Sequence, residues 1–150
     1  MIALRPLRED EFAAWDEAHR LGYASGLIEH LGMSQAAADA KVSRDVAGVL
    51  PEGIATPGVH IWAVEVDGRR VGSVFLGVRD VGAWLYDITI DEAERGKGYG
   101  RGTMSALEEE VRKLGHDMIG LNVWGANEVA RGLYRSLGWT EESVQMRKRL

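Results

Sequence analysis

Up to Pro51 the apolar residues of this chain recur every three or four positions. Leu4 and Leu7, on either side of Pro6, predict a short first strand and a turn. Phe12, Trp15 and His19 then fall at helical spacing. Ala38, Val42, Val46 and Val49 repeat in the same way behind Ser34, a favoured N-cap. Pro51 ends this second helix, because the residue before a proline is pushed out of helical geometry. From Val59 the period shortens. Val59, Ile61 and Ala63 alternate with His60, Trp62 and Val64, a strand with both faces largely apolar. Asp67-Gly68 suits the positive φ angles of a tight hairpin, so Arg70 to Val78 reads as the return strand. A turn at Asp80-Val81-Gly82 leads into a third strand, Ala83 to Ile90.

The helical period returns after a glycine-rich segment. Met104, Leu107, Val111 and Leu114 share one face, while Glu108 with Arg112 and Glu109 with Lys113 are spaced as ion pairs on another. Gly115 is placed to end that helix. Met118 to Trp124 predicts a further strand, Asn127 to Leu137 a last helix, and Trp139 onward a closing strand. The order β-α-α-β-β-β-α-β-α-β predicts a mixed α/β (α+β) fold in one domain, residues 1–150, with a mostly antiparallel central sheet flanked by about four helices.

Glycine stands at positions 96, 98, 100 and 102, between a strand and a helix. Each would cost about 1 kcal/mol relative to alanine inside a helix. The run makes better sense as a loop whose backbone approaches a ligand closely. Amides at a helix N-terminus bind phosphate oxygens, and Arg95, Lys97 and Arg101 place three cations within seven residues. Neither better-known phosphate loop fits: there is no Walker A pattern, and after Gly98-Tyr99-Gly100 the third glycine of a dinucleotide fingerprint is replaced by Thr103. A glycine-rich turn without a ligand is the competing reading.

Composition narrows the options. With 150 residues, 45% hydrophobic, the chain is long enough to bury a core without a staple. It has no cysteine, which excludes disulfides, thiolate metal sites and a cysteine nucleophile, and fits a cytoplasmic location. The net charge of −5 weighs against nucleic acid as a partner. The start, Met1 to Pro6, lacks the apolar core of a signal peptide, and no apolar run approaches the ~20 residues of a membrane span. His19, His30 and His116 show no metal-like spacing and read as surface or packing residues, so no metal is expected.

Arg95, Gly98 and Gly100, directly after a strand, match the pattern [Arg/Gln]-x-x-Gly-x-[Gly/Ala]. Further along stand Asn127, Ala130, Leu133-Tyr134 and Leu137-Gly138-Trp139. In these two signatures, and in order and spacing over roughly residues 60 to 140, the chain resembles the GNAT superfamily of acetyl-CoA-dependent N-acetyltransferases. The resemblance implies that Arg95, Gly96, Lys97, Gly98, Tyr99, Gly100 and Arg101 cradle the acetyl-CoA pyrophosphate. It also implies that the backbone of Ile88, Thr89 and Ile90 meets the pantetheine arm like an added strand, in a gap where this strand splays from the Met118–Trp124 strand. Asn127 would contact the pantetheine arm or a nearby backbone group, the competing reading being a plain helix N-cap. Tyr134, two helical turns on, would sit near the thioester sulfur as general acid, the competing reading being a core aromatic. Small enzymes of this superfamily often pair, which leaves a homodimer open.

Without an acyl-enzyme nucleophile, direct attack of an amine on the thioester in a ternary complex is the economical chemistry. The acceptor would be a primary amine, on a small molecule, a protein N-terminus or a lysine. A backbone N–H, that of Ile90, would polarise the carbonyl. Asp87 is the candidate base, with Glu65, His60 and Tyr86 as others on the sheet. Strand alternation puts Asp87 on the face of Leu85 and Thr89, opposite Tyr86 and Ile88. Trp15, Tyr23 and the acids Glu9, Asp10, Glu11, Asp16 and Glu17 fall on the acceptor side, as a pocket lining or a solvated helix face. A non-catalytic acyl-CoA-binding module is the alternative from another class.

Overall fold

The computed structural model describes residues 1–80 and 82–150. Val81, in the turn expected between two strands, lies outside the described residues. Strand β1 (Ile2–Pro6) leads into α1 (Glu9–Leu31) and α2 (Gln35–Val49). Ser34 caps α2 as expected, its hydroxyl accepting from the Ala37 N–H at 3.2 Å. Strands β2 (Val59–Val66), β3 (Arg69–Arg79) and β4 (Gly82–Ile90) form the meander. Asp67 and Gly68 make the hairpin turn with φ of 51° and 75°. Helix α3 (Tyr99–Lys113), strand β5 (Ile119–Leu121) and helix α4 (Glu128–Ser136) complete the regular structure.

The sheet order is β1-β2-β3-β4-β5, antiparallel except for β4 with β5. Because β2 is apolar on both faces, it supports two cores. Ile61, Ala63 and Phe75 pack under α1 and α2 with Trp15, Leu27, Val42 and Val46. Trp62, Val64, Val74, Leu76 and Leu85 pack against Met104, Leu107 and Val111 of α3, with Tyr134 and Leu137 of α4 at the border. Leu114 leaves this face and is exposed. Lys113 pairs with Glu110 at 2.7 Å rather than with Glu109, while Glu108 and Arg112 pair at 3.6 Å.

Two expectations fail in ways that shape the molecule. The closing strand does not form: among the described residues, 139–150 adopt no regular structure. The Met118–Trp124 strand shortens to three residues, with Trp124 turned away to stack on His30 of α1 at 4.7 Å. The chain thus spends its apolar side chain on helix contact instead of ladder. Alternation along β4 is also broken. Phe75 pairs with Asp87 but Leu76 pairs with Leu85, so Tyr86 is the extra residue of a β-bulge. Leu85 therefore joins the α3 core while Asp87 lies on the α1 face with Phe75, opposite to the expected grouping.

Glu11 anchors the start of α1 to the sheet. Its carboxylate accepts from the Arg8 N–H at 2.8 Å and from the Arg5 guanidinium at 3.0 Å, while Arg5 also donates to Glu65 at 2.7 Å. Among the described residues no helix is long and apolar enough to cross a membrane. The bond from Arg5, and then that from Arg8, holds the Glu11 carboxyl at about 2, below its ordinary value of 4.5. A depressed carboxyl stabilises the fold above its unfolded value, and that stability disappears as pH falls through the folded one. Glu11→Gln is therefore expected to lower Tm at pH 7, and the difference from wild type should close as pH falls from about 4.5 to about 2. Thermal unfolding by circular dichroism across that range is the check; a gap that stays constant with pH would exclude the ion pair as its cause.

Candidate active site

Parallel strands carry their C-terminal ends to one edge of a sheet, so the segments leaving β4 and β5 are neighbours. Pairing between the two stops at Leu85 with Leu121. Beyond that point β4 runs on to Ile90 with β3 as its only ladder partner among the described residues, at the place where the resemblance implied a gap. The Asp91 N–H donates to Val71 of β3 at 2.9 Å. Successive residues of an antiparallel strand turn their polar groups to opposite sides. Thr89 therefore also faces β3, where a methyl group on Gly72 would overlap its carbonyl oxygen. Of the three residues expected to meet a ligand through their backbone, Ile88 and Ile90 face the open edge and Thr89 does not. The Ile90 carbonyl is already taken by Arg95 Nε at 3.0 Å, which leaves its N–H outward.

The glycine segment turns from β4 into α3. A short turn at Glu92–Glu94 precedes it, and Gly96 and Gly98 adopt φ of 76° and 80°, a region costly for side-chain-bearing residues. Gly98 caps the helix without a side chain. The backbone N–H groups of residues 96 through 101 donate to no acceptor among the described residues; the first bond of the new helix is Gly102 N–H to Gly98 at 3.2 Å. These are the orphan donors of a helix N-terminus, gathered on one short loop.

The three cations of the loop are less free than their spacing implied. Lys97 donates to Glu94 at 3.0 Å, and Glu94 also takes Arg69. The bond from Arg69, with that from Lys97 next, holds the Glu94 carboxyl down at about 2. Arg95 bonds Ile90, and Arg101 Nη2 donates to Ser136 Oγ at 2.7 Å, tying the first turn of α3 to α4. Tyr99 packs its ring on the α3 core, so only its amide belongs to the loop.

Helix α4 opens at Asn127, whose Oδ1 accepts from the Ala130 N–H at 3.1 Å. The N-cap role is thus real, and the Asn127 amide nitrogen donates to no other group among the described residues. Tyr134 lies half-buried against Trp139, ring centroids 5.7 Å apart. Its hydroxyl makes no bond among the described residues. Burial first, and the nearby Asp87 charge second, push its phenol above the usual 10. It stays protonated at neutral pH.

The rival bases separate clearly. Glu65 is bound by Arg5 at 2.7 Å. Tyr86 packs on Phe75 and is held by Arg79. His60 stacks on Trp62 at 5.3 Å, on the other face of the sheet from Phe75, and burial lowers its basicity. Asp87 has no Arg or Lys partner among the described residues; Thr89 Oγ1 donates to its Oδ2 at 3.0 Å. Most acids of α1 are paired on a solvated face, Asp16 with Arg20 at 3.0 Å and Asp10 with Arg8 at 3.3 Å. Trp15 is buried, and Tyr23 donates to Asp45 at 2.6 Å, bracing α1 on α2. The residue of α1 that does reach the site is His19, with Nδ1 3.8 Å from Asp87 Oδ2. Its helical spacing with Trp15 marked it as packing, and the bulge that turns Asp87 toward it leaves no trace in periodicity.

The model of the acetyltransferase (GNAT) family matches residues 38–139, and the chain belongs to that family. It is accordingly an acetyltransferase of a family that uses acetyl-CoA. The uncharacterized N-acetyltransferase YycN of Bacillus subtilis (strain 168) is 28% identical, the alignment covering 99% of each chain. Its crystal structure superposes with a TM-score of 0.95, covering 100% of this chain and 99% of the other. A second uncharacterized N-acetyltransferase of that strain, YdgE, is also 28% identical over 99% of this chain and 98% of its own. AAC(6')-Iy, solved with a CoA-containing bisubstrate analogue, shares the fold at a TM-score of 0.63 and 14% identity, covering 100% of this chain and 99% of its own.

Gly98→Val forces a β-branched residue to φ of 80° among the free amides. It is expected to abolish acetyl-CoA binding in calorimetry, whereas Gly98→Asn, a residue that tolerates this region, should bind measurably. Equal affinity of the two variants would contradict the loop's role.

Proposed function

We propose that this protein moves the acetyl group of acetyl-CoA to a primary amine, on a small molecule, a protein N-terminus or a lysine, by direct attack in a ternary complex. The observation that carries the reading is the run of unpartnered amides from Gly96 to Arg101, set beside the unpaired edge of β4. A diphosphate supplies acceptors for those amides, and an extended pantetheine arm supplies amide groups for Ile88 and Ile90. Asn127 offers its side-chain amide nitrogen to the same arm.

The chemistry then falls to residues around the end of the β4–β5 ladder. The outward Ile90 N–H polarises the thioester carbonyl and stabilises the oxyanion. Tyr134, protonated and near the divergence, gives its proton to the departing sulfur. Asp87 faces the incoming amine from the α1 side. The absence of cysteine leaves no thiol to carry an acyl-enzyme.

Acetyl-CoA at millimolar concentration is expected to raise Tm, while ATP and NAD at the same concentration are not. No shift with acetyl-CoA would reject the cradle. Tyr134→Phe should lower kcat about 100-fold or more with acetyl-CoA affinity nearly intact. Thiol release across an amine library measures it, and unchanged turnover would remove the acid role from Tyr134.

A further inference from the structure

We propose that His19 is the proton acceptor of the reaction and that Asp87 and His19 together form the subsite for an unhindered alkylammonium. The inference rests on the acetyl-transfer reading and goes beyond it by naming the acceptor's charge state and the destination of its proton.

The geometry is specific. His19 lies flat on Trp15, ring centroids 5.0 Å apart at 6°, and edge-on to Phe75 at 5.4 Å. That sandwich fixes the imidazole plane. Its Nδ1 stands 3.8 Å from Asp87 Oδ2, too far for a direct hydrogen bond. A nitrogen about 2.9 Å from each atom, an ordinary hydrogen-bond length, closes a triangle on that base. Two hydrogen bonds of ordinary length can thus converge on one ammonium nitrogen. Thr89 occupies the same Oδ2 at 3.0 Å, so Oδ1 has no partner among the described residues.

Charge and basicity divide the work. Among the described residues Asp87 has no Arg or Lys to neutralise it, so a cation is its natural partner. As a chemical class an imidazole is a stronger base than a carboxylate, and so the better acceptor for an ammonium proton. The carboxylate holds and the imidazole takes. The side chain of His19 keeps 12% of its surface exposed, an exit for the proton. The charged and titratable groups near the imidazole are few. Asp87 and Tyr86 face it from β4, Tyr86 across Phe75. Tyr134 reaches Asp87 from α4. On α1 itself Asp16 and Arg20 satisfy each other.

The step balances. R–NH₃⁺ gives one proton to His19, and the freed lone pair forms the C–N bond to the acetyl carbon. The C–S bond breaks with its electron pair on sulfur, which takes the proton of Tyr134. The second proton on nitrogen restores the phenol, and His19 releases its proton to solvent. The products are R–NH–CO–CH₃, CoA thiol and one proton.

The test uses n-butylamine as the probe, with the protein saturated in acetyl-CoA. Wild type is expected to release thiol. His19→Gln cannot take a proton. It should cut kcat about 100-fold or more and keep KM for n-butylamine within about twofold. His19→Phe keeps the stack on Trp15 and controls for packing; it should show the same loss. Asp87→Asn should chiefly raise KM for n-butylamine. Acetyl-CoA affinity, measured by calorimetry, should be unchanged in all three. Full turnover in His19→Gln overturns the proposal, and so does a loss confined to KM. So does a wild-type protein that binds acetyl-CoA yet ignores n-butylamine. A wild-type protein that fails to bind acetyl-CoA strikes the acetyl-transfer reading instead.

Discussion

Everything at the site follows from where one hydrogen-bond ladder stops. β4 and β5 pair only from Ala83 with Ile119 to Leu85 with Leu121. Past that point the outer edge of β4 presents backbone groups that no neighbouring strand pairs among the described residues. A sheet normally closes such an edge with more ladder. Here Trp124 has turned onto α1, where a side chain on Gly26 would meet its indole, and the following segment turns directly into α4. An extended ligand with its own amides is the complement that the edge lacks.

The bulge at Tyr86 is the second constraint, and it converts a sheet edge into a chemical site. Had alternation continued, Asp87 would share the face of Leu85 and be driven toward the α3 core, where a carboxylate without a partner is expensive. The extra residue puts Leu85 into that core and Asp87 on the other face, beside Phe75 and under α1. Bulges re-aim side chains in this way at functional edges. The same shift brings Asp87 within Coulombic reach of Tyr134 on one side and 3.8 Å from His19 on the other. Three elements distant in sequence meet because one residue is out of register.

Local rules made much of this readable in advance. Ser34, Asp67-Gly68 and Asn127 act through contacts spanning a few residues, and each does what its chemistry favours. The glycine loop was legible for the same reason, since positive φ at Gly96 and Gly98 is a property of the residues themselves. What escaped depends on contacts far apart in the chain. The closing strand had suitable composition, but a strand exists only where a neighbour offers a ladder, and β5 is too short to do so. His19 had the spacing of a packing residue and is one, with Trp15 and Phe75 around it. Its proximity to Asp87 is set by a bulge on another element, which no periodicity encodes.

The charge of the loop carries one further lesson. Three cations in seven residues suggest a site that works by net positive charge, yet Glu94 sits against Lys97 and Arg69, and Arg95 and Arg101 are spent on Ile90 and Ser136. These contacts brace the loop: Arg95 ties it to β4, Arg101 ties it to α4, and Glu94 links it to the start of β3. On the proposed reading, an anion is drawn chiefly by the fixed amides and the dipole of α3. Fixed dipoles do not have to be reoriented when the ligand arrives, so the binding energy is not drained by ordering flexible side chains. Side-chain charge here buys rigidity, and the rigid backbone supplies the site.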